Sequence, residues 1–97
     1  MTETKKTRRI EMENRFAAEF PKMEERTDAF AVQKPAGEVY FRIAEFPGCN
    51  ALVIEYAEDI EWAIRGIFGE DGDLFYLDEM DTDTMFQRML SEVEDAE

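Results

Sequence analysis

Residues 38–57 read EVYFRIAEFPGCNALVIEYA. Two runs rich in Val, Ile, Phe and Tyr flank a Pro-Gly pair, which is the pattern of a β-hairpin. Face parity limits its register. A two-residue loop at Pro47-Gly48 sets Ile43 opposite Leu52, Phe41 opposite Ile54 and Val39 opposite Tyr56, so all six share one face. A four-residue loop over 47–50 keeps that parity. A three-residue loop inverts it and puts Glu55 in the core, so it is rejected. The opposite face carries Tyr40, Arg42, Val53 and Glu55 and is only half apolar.

Working outward, AFAVQ (29–33) reads as a short strand and QKPAGE (33–38) as a turn. Downstream, Ile60, Ala63, Ile64, Ile67 and Phe68 recur at the spacing of an amphipathic helix, with Gly69 placed to end it. That helix is expected to lay its stripe on the apolar face of the hairpin. Trp62 points nearly opposite the stripe. It is either covered by the N-terminal helix or by LFYL (74–77), or it stands exposed beside Glu58, Asp59 and Glu61 as an interface anchor. GEDGD (69–73) reads as a turn, and LFYL as an edge strand or a loop pinned to the core. DTDTMFQRMLSEVE (81–94) reads as a helix. Thr84 and Gln87 form its capping box, and Phe86, Met89, Leu90 and Val93 its buried stripe. Upstream, residues 1–8 look like a disordered polar tail. Arg9 to Phe20 reads as a helix with Ile10, Phe16, Ala17 and Phe20 loosely in line, broken at Pro21. PKMEER (21–26) can restart a helical turn. The expected fold is a single small α+β domain over 1–97: an N-terminal helix, then an antiparallel hairpin or three-stranded sheet packed against two C-terminal helices.

The composition is 44% hydrophobic with 12% aromatic residues, enough for one core and unlike a disordered acidic tail. A chain of 97 residues buries only about 60–65% of its unfolded surface, so deep pockets are not expected. No apolar run approaches the ~18 residues of a membrane span. The basic N-terminus has no apolar segment behind it, so it does not read as a secretory signal. The one cysteine, Cys49, cannot form an internal disulfide and reads as a half-buried turn residue, which fits a cytoplasmic setting.

The net charge of −13 is unevenly placed. Residues 1–37 carry +1, residues 38–68 carry −4 and residues 69–97 carry −10. Within 68–84 (FGEDGDLFYLDEMDTDT), seven of seventeen residues are acidic and none is basic. Clustered like charge costs stability through self-repulsion. It therefore reads either as a partner surface or as a solvated face.

Catalytic chemistry finds little footing. No EF-hand register fits, because placing Gly72 or Gly69 sixth puts Ile67 or Ile64 first. The acidic cluster could hold a divalent ion only weakly, and the absence of His leaves no zinc site. A carboxylate pair would need a cleft and an apolar pocket. No nucleophile with a base and no phosphate-cradling glycine motif is present. The expectation is a non-enzymatic protein with no cofactor, metal or catalytic residue. KKTRR (5–9) is basic, but a chain of −13 is repelled by phosphate. That patch reads as a flexible tail or as pairing with the chain's own acidic half.

Carboxylates on a small rigid domain can imitate the phosphates of nucleic acid, and their partners would be basic nucleic-acid-binding surfaces. The order of an N-terminal helix, a Val/Ile hairpin, a helix ending IRGIFGEDGD and an acid-led helix DEMDTDTMFQRML resembles the layout of small acidic anti-CRISPR proteins. The resemblance spans roughly residues 38–93. It implies inhibition of a guide-RNA nuclease at its DNA-entry site by Glu70, Asp71, Asp73, Asp78, Glu79, Asp81 and Asp83. The alternative is a docking module of a phage, mobile-element or host complex. It would bind a basic protein through Trp62 and the Tyr40/Arg42/Val53 face without mimicry. A third reading is a homodimer through that same hairpin face. None of these readings involves direct nucleic-acid or membrane binding.

Overall fold

The computed structural model describes residues 4–95. The chain runs α1 (Lys5–Ala17), β1 (Ala29–Lys34), β2 (Gly37–Phe46), β3 (Ala51–Ala57), α2 (Ile60–Ile64), β4 (Glu70–Tyr76) and α3 (Thr82–Asp95). The fold is α+β, with one antiparallel sheet of four strands in the order β1-β2-β3-β4 rather than two or three strands.

The β2–β3 hairpin uses the four-residue loop over 47–50, so Ile43 faces Ile54 and Phe41 faces Tyr56. Gly48, at φ +92°, supplies the left-handed turn residue. Val39, Phe41, Ile43, Leu52, Ile54 and Tyr56 all enter one core. That inner face is covered by α1 and α3. Met12 and Phe16 come from α1, and Met85, Phe86, Met89 and Val93 from α3. The Phe16 ring meets Phe41 and Phe86 edge-on at centroid distances of 5.5 and 5.1 Å, the favoured aromatic geometry.

Several expectations are corrected. Helix α1 begins at Lys5, capped by Thr4, whose hydroxyl accepts the Thr7 amide at 3.1 Å. Residues 5–8 are therefore helical rather than part of a tail, and 1–3 lie outside the described residues. The buried face of α1 is Arg8, Met12 and Phe16, while Ile10 is exposed. PKMEER does not restart a helix. Lys22 instead bridges to Phe30, and Ala31 and Met23 exchange backbone bonds with Pro21 and Ala29, which covers the outer edge of β1.

Helix α2 is a single short piece on the opposite face of the sheet. Only its Ala63 is buried, in a second cluster with Met23, Ala29, Tyr40 and Ala57. The helix stops because Gly66 turns left-handed (φ +81°). Ile67 N donates to Trp62 O, and Gly66 N to Ala63 O, which is the Schellman pattern. The stop therefore comes three residues before Gly69, and Ile67 and Phe68 lie beyond the helix. Helix α3 also starts early. Asp81 accepts the Thr84 amide at 2.8 Å, so the cap is Asp81 and not Thr84. Its buried stripe gains Met85, and Leu90 packs at its margin. The buried Lys34 ammonium donates to Val93 O and Glu94 O, tying the end of β1 to the last turn of α3.

Candidate functional site: a carboxylate groove and an exposed tryptophan

GEDGD is not a turn; residues 70–73 belong to β4. Asp and Gly disfavour strands, and this one tolerates them because it is an edge strand carrying a bulge. Glu55 pairs with Asp71 and Val53 with Leu74, so Gly72 and Asp73 together stand opposite Ile54. Residues 74–76 of LFYL are the rest of the strand and Leu77 begins the following turn, with Phe75 and Leu77 buried in the inner core.

Glu92 of α3 reaches across to this bulge. Its Oε1 accepts the Asp73 amide at 2.8 Å and its Oε2 accepts the Tyr56 hydroxyl at 2.5 Å. A Cβ at position 72 would meet the Glu92 carboxylate, so Glu92 can hold this position only while residue 72 is glycine. Burial and the bond to Glu92 hold the Tyr56 phenol well above its ordinary range.

Between β4 and α3 runs a broad open groove of ≈ 1010 Å³. Asp71, Asp73, Glu79, Glu92 and Asp95 line it, with Arg88 as the cation among the lining residues. Glu92 and Asp95 were missed as site residues by sequence reasoning. The signal for them was helical: Arg88, Glu92 and Asp95 recur at i, i+4, i+7 and share one face of α3.

The eight residues singled out from sequence are all exposed. Glu70, Asp71 and Asp73 lie on β4, Asp78 and Glu79 in the following turn, and Asp81 and Asp83 at the start of α3. The groove gathers Asp71, Asp73 and Glu79. The others are engaged elsewhere. Asp83 pairs with Arg15 at 2.8 Å, Asp81 caps α3, and Asp78 accepts Asn50 Nδ2 at 3.4 Å. The Thr84 amide holds the Asp81 carboxyl below the ordinary aspartate range. Glu70 lines a separate cleft of ≈ 280 Å³ with Trp62, Glu58 and Asp59.

Trp62 is 53% exposed, so neither α1 nor LFYL covers it. The hairpin face offered as a docking or dimer surface is largely occupied. Tyr40 and Val53 are buried, and Arg42 pairs with Glu55 at 2.8 Å while lying 4.4 Å over the Phe68 ring. The KKTRR segment is held by the chain's own groups. Lys5 donates to Phe46 O and Cys49 O, Arg8 to Met80 O, and Arg9 pairs with Glu13 and Glu45. Among the described residues no three Asp, Glu or Cys side chains converge as a metal-ligand group, and no helix is long and apolar enough to cross a membrane. Comparisons with protein-family models, curated proteins and solved structures found no match.

Proposed function

We propose that this chain is a non-enzymatic acidic interaction protein that occupies a basic, nucleic-acid-binding surface of a partner protein and blocks it. The observation that supports the reading is the β4–α3 groove. Asp71, Asp73 and Glu79 form no ion pair among the described residues, with Arg88 the one cation lining the groove, and they sit on or beside elements held rigid by packing and by Glu92. Fixed carboxylates in excess over cations attract a basic surface at long range and lose little order on binding. A guide-RNA nuclease, the partner that the resemblance to anti-CRISPR proteins implies, is one member of that class.

The test is capture of partners from nuclease-treated lysate, followed by competition with duplex DNA. A mimic's partner is retained at low salt, released at high salt and displaced by duplex DNA. It is also lost when Asp71→Lys and Asp73→Lys are combined. A partner that withstands high salt and ignores both charge reversals overturns the reading.

A further inference from the structure

The molecule exposes apolar surface in a second place, apart from the acidic groove. Ile60, Trp62, Ile64 and Ile67 are 46, 53, 38 and 47% exposed, four large apolar side chains within eight positions. Ala63 faces the sheet. At about 100° per residue, Ile60 and Ile64 then lie on one flank of α2 and Trp62 on the other. Glu61 and Arg65 run along the crest between them. Singly exposed apolar residues are ordinary, but the Trp62 flank stands beside a cleft of ≈ 280 Å³. Its surroundings indicate the partner. Glu58, Asp59 and Glu70 line that cleft together with Trp62. The cleft therefore sets three carboxylates beside an exposed indole, which suits a cationic side chain held against it.

We infer that α2 is a docking surface for a basic amphipathic helix of a partner protein. That helix lays its apolar side against the Trp62 flank of α2 and inserts a Lys or Arg side chain into the cleft between Trp62, Glu58, Asp59 and Glu70. A second copy of this chain is a poor occupant. A two-fold contact brings together Glu58, Asp59 and Glu61 of both copies with only Arg65 of each on the same crest to offset them, in a chain of net charge −13. The surface is separate from the β4–α3 groove and stands whether or not that groove is a mimic.

The test uses the one tryptophan in the chain as its own reporter. A designed Lys/Leu amphipathic helical peptide without tryptophan is titrated into the full-length protein while Trp62 emission is followed. The emission shifts to the blue and saturates. Trp62→Ala weakens peptide binding, read by calorimetry, by more than about tenfold. The Asp71→Lys/Asp73→Lys pair leaves the Trp62 response within about twofold, which separates this surface from the groove. The inference is overturned by an unmoved Trp62 emission at saturating peptide, or by wild-type affinity in Trp62→Ala. It is equally overturned by equal binding of a scrambled peptide of the same composition. A blue shift with a doubled mass on concentrating the protein alone also overturns it, since the occupant is then a second copy.

Discussion

The two faces of the sheet obey opposite rules. On the inner face, all nine of the largest fully enclosed side chains join one core: Met12 and Phe16 from α1, Phe30, Phe41, Leu52 and Ile54 from β1, β2 and β3, and Met85, Met89 and Val93 from α3. On the outer face, α2 buries one alanine and leaves its isoleucines and tryptophan in solvent. Stability therefore resides on one side and unspent apolar surface on the other. Residues that look alike by hydropathy do different work, and burial, not residue type, separates them.

Substitutions sharpen that contrast. Phe41→Ala, at the centre of the inner aromatic cluster, should cost about 3–5 kcal/mol in denaturant unfolding. Gly72→Ala should cost about 1–2 kcal/mol, because Glu92 must release both Tyr56 and Asp73. Its companion Glu92→Ala should remove most of that penalty in a double-mutant cycle. Asp81→Ala should lower the urea midpoint by a smaller amount through loss of the α3 cap. Its carboxyl sits below the ordinary value of 3.8 in the folded state. The cap therefore contributes fully above that value and is lost as pH falls through the lower folded value, so the midpoints of variant and wild type should converge in acid. Trp62→Ala should change stability by no more than about 0.5 kcal/mol. A large loss there would break the contrast between the faces.

The inner face was legible in the sequence because alternation along β2 and β3 admits one parity, and the four-residue loop only slides the pairing within it. The outer face was not. The run Ile60, Ala63, Ile64, Ile67, Phe68 has ideal helical spacing, yet Gly66 ends the helix at Ile64 and the stripe never assembles on the sheet. A glycine inside an apolar period was the available warning. The acidic candidates were found by charge, but GEDGD hid a strand, since Gly and Asp signal turns and only tertiary pairing with β3 overrides them. Glu92 escaped notice because its partners, Tyr56 and the Asp73 amide, are distant in sequence.

The buried Lys34 bond to the last turn of α3 has a consequence for synthesis. The strands pair in chain order, each with its predecessor, so the sheet can grow as the chain emerges. Its inner layer cannot. Helix α1 precedes α3 in the chain but needs it to close over Phe16 and Phe86, and Lys34 finds its carbonyls only then. Until residues 82–95 leave the ribosome, the nascent chain carries a half-covered apolar sheet, which makes that interval the time of greatest exposure to chaperones and to aggregation.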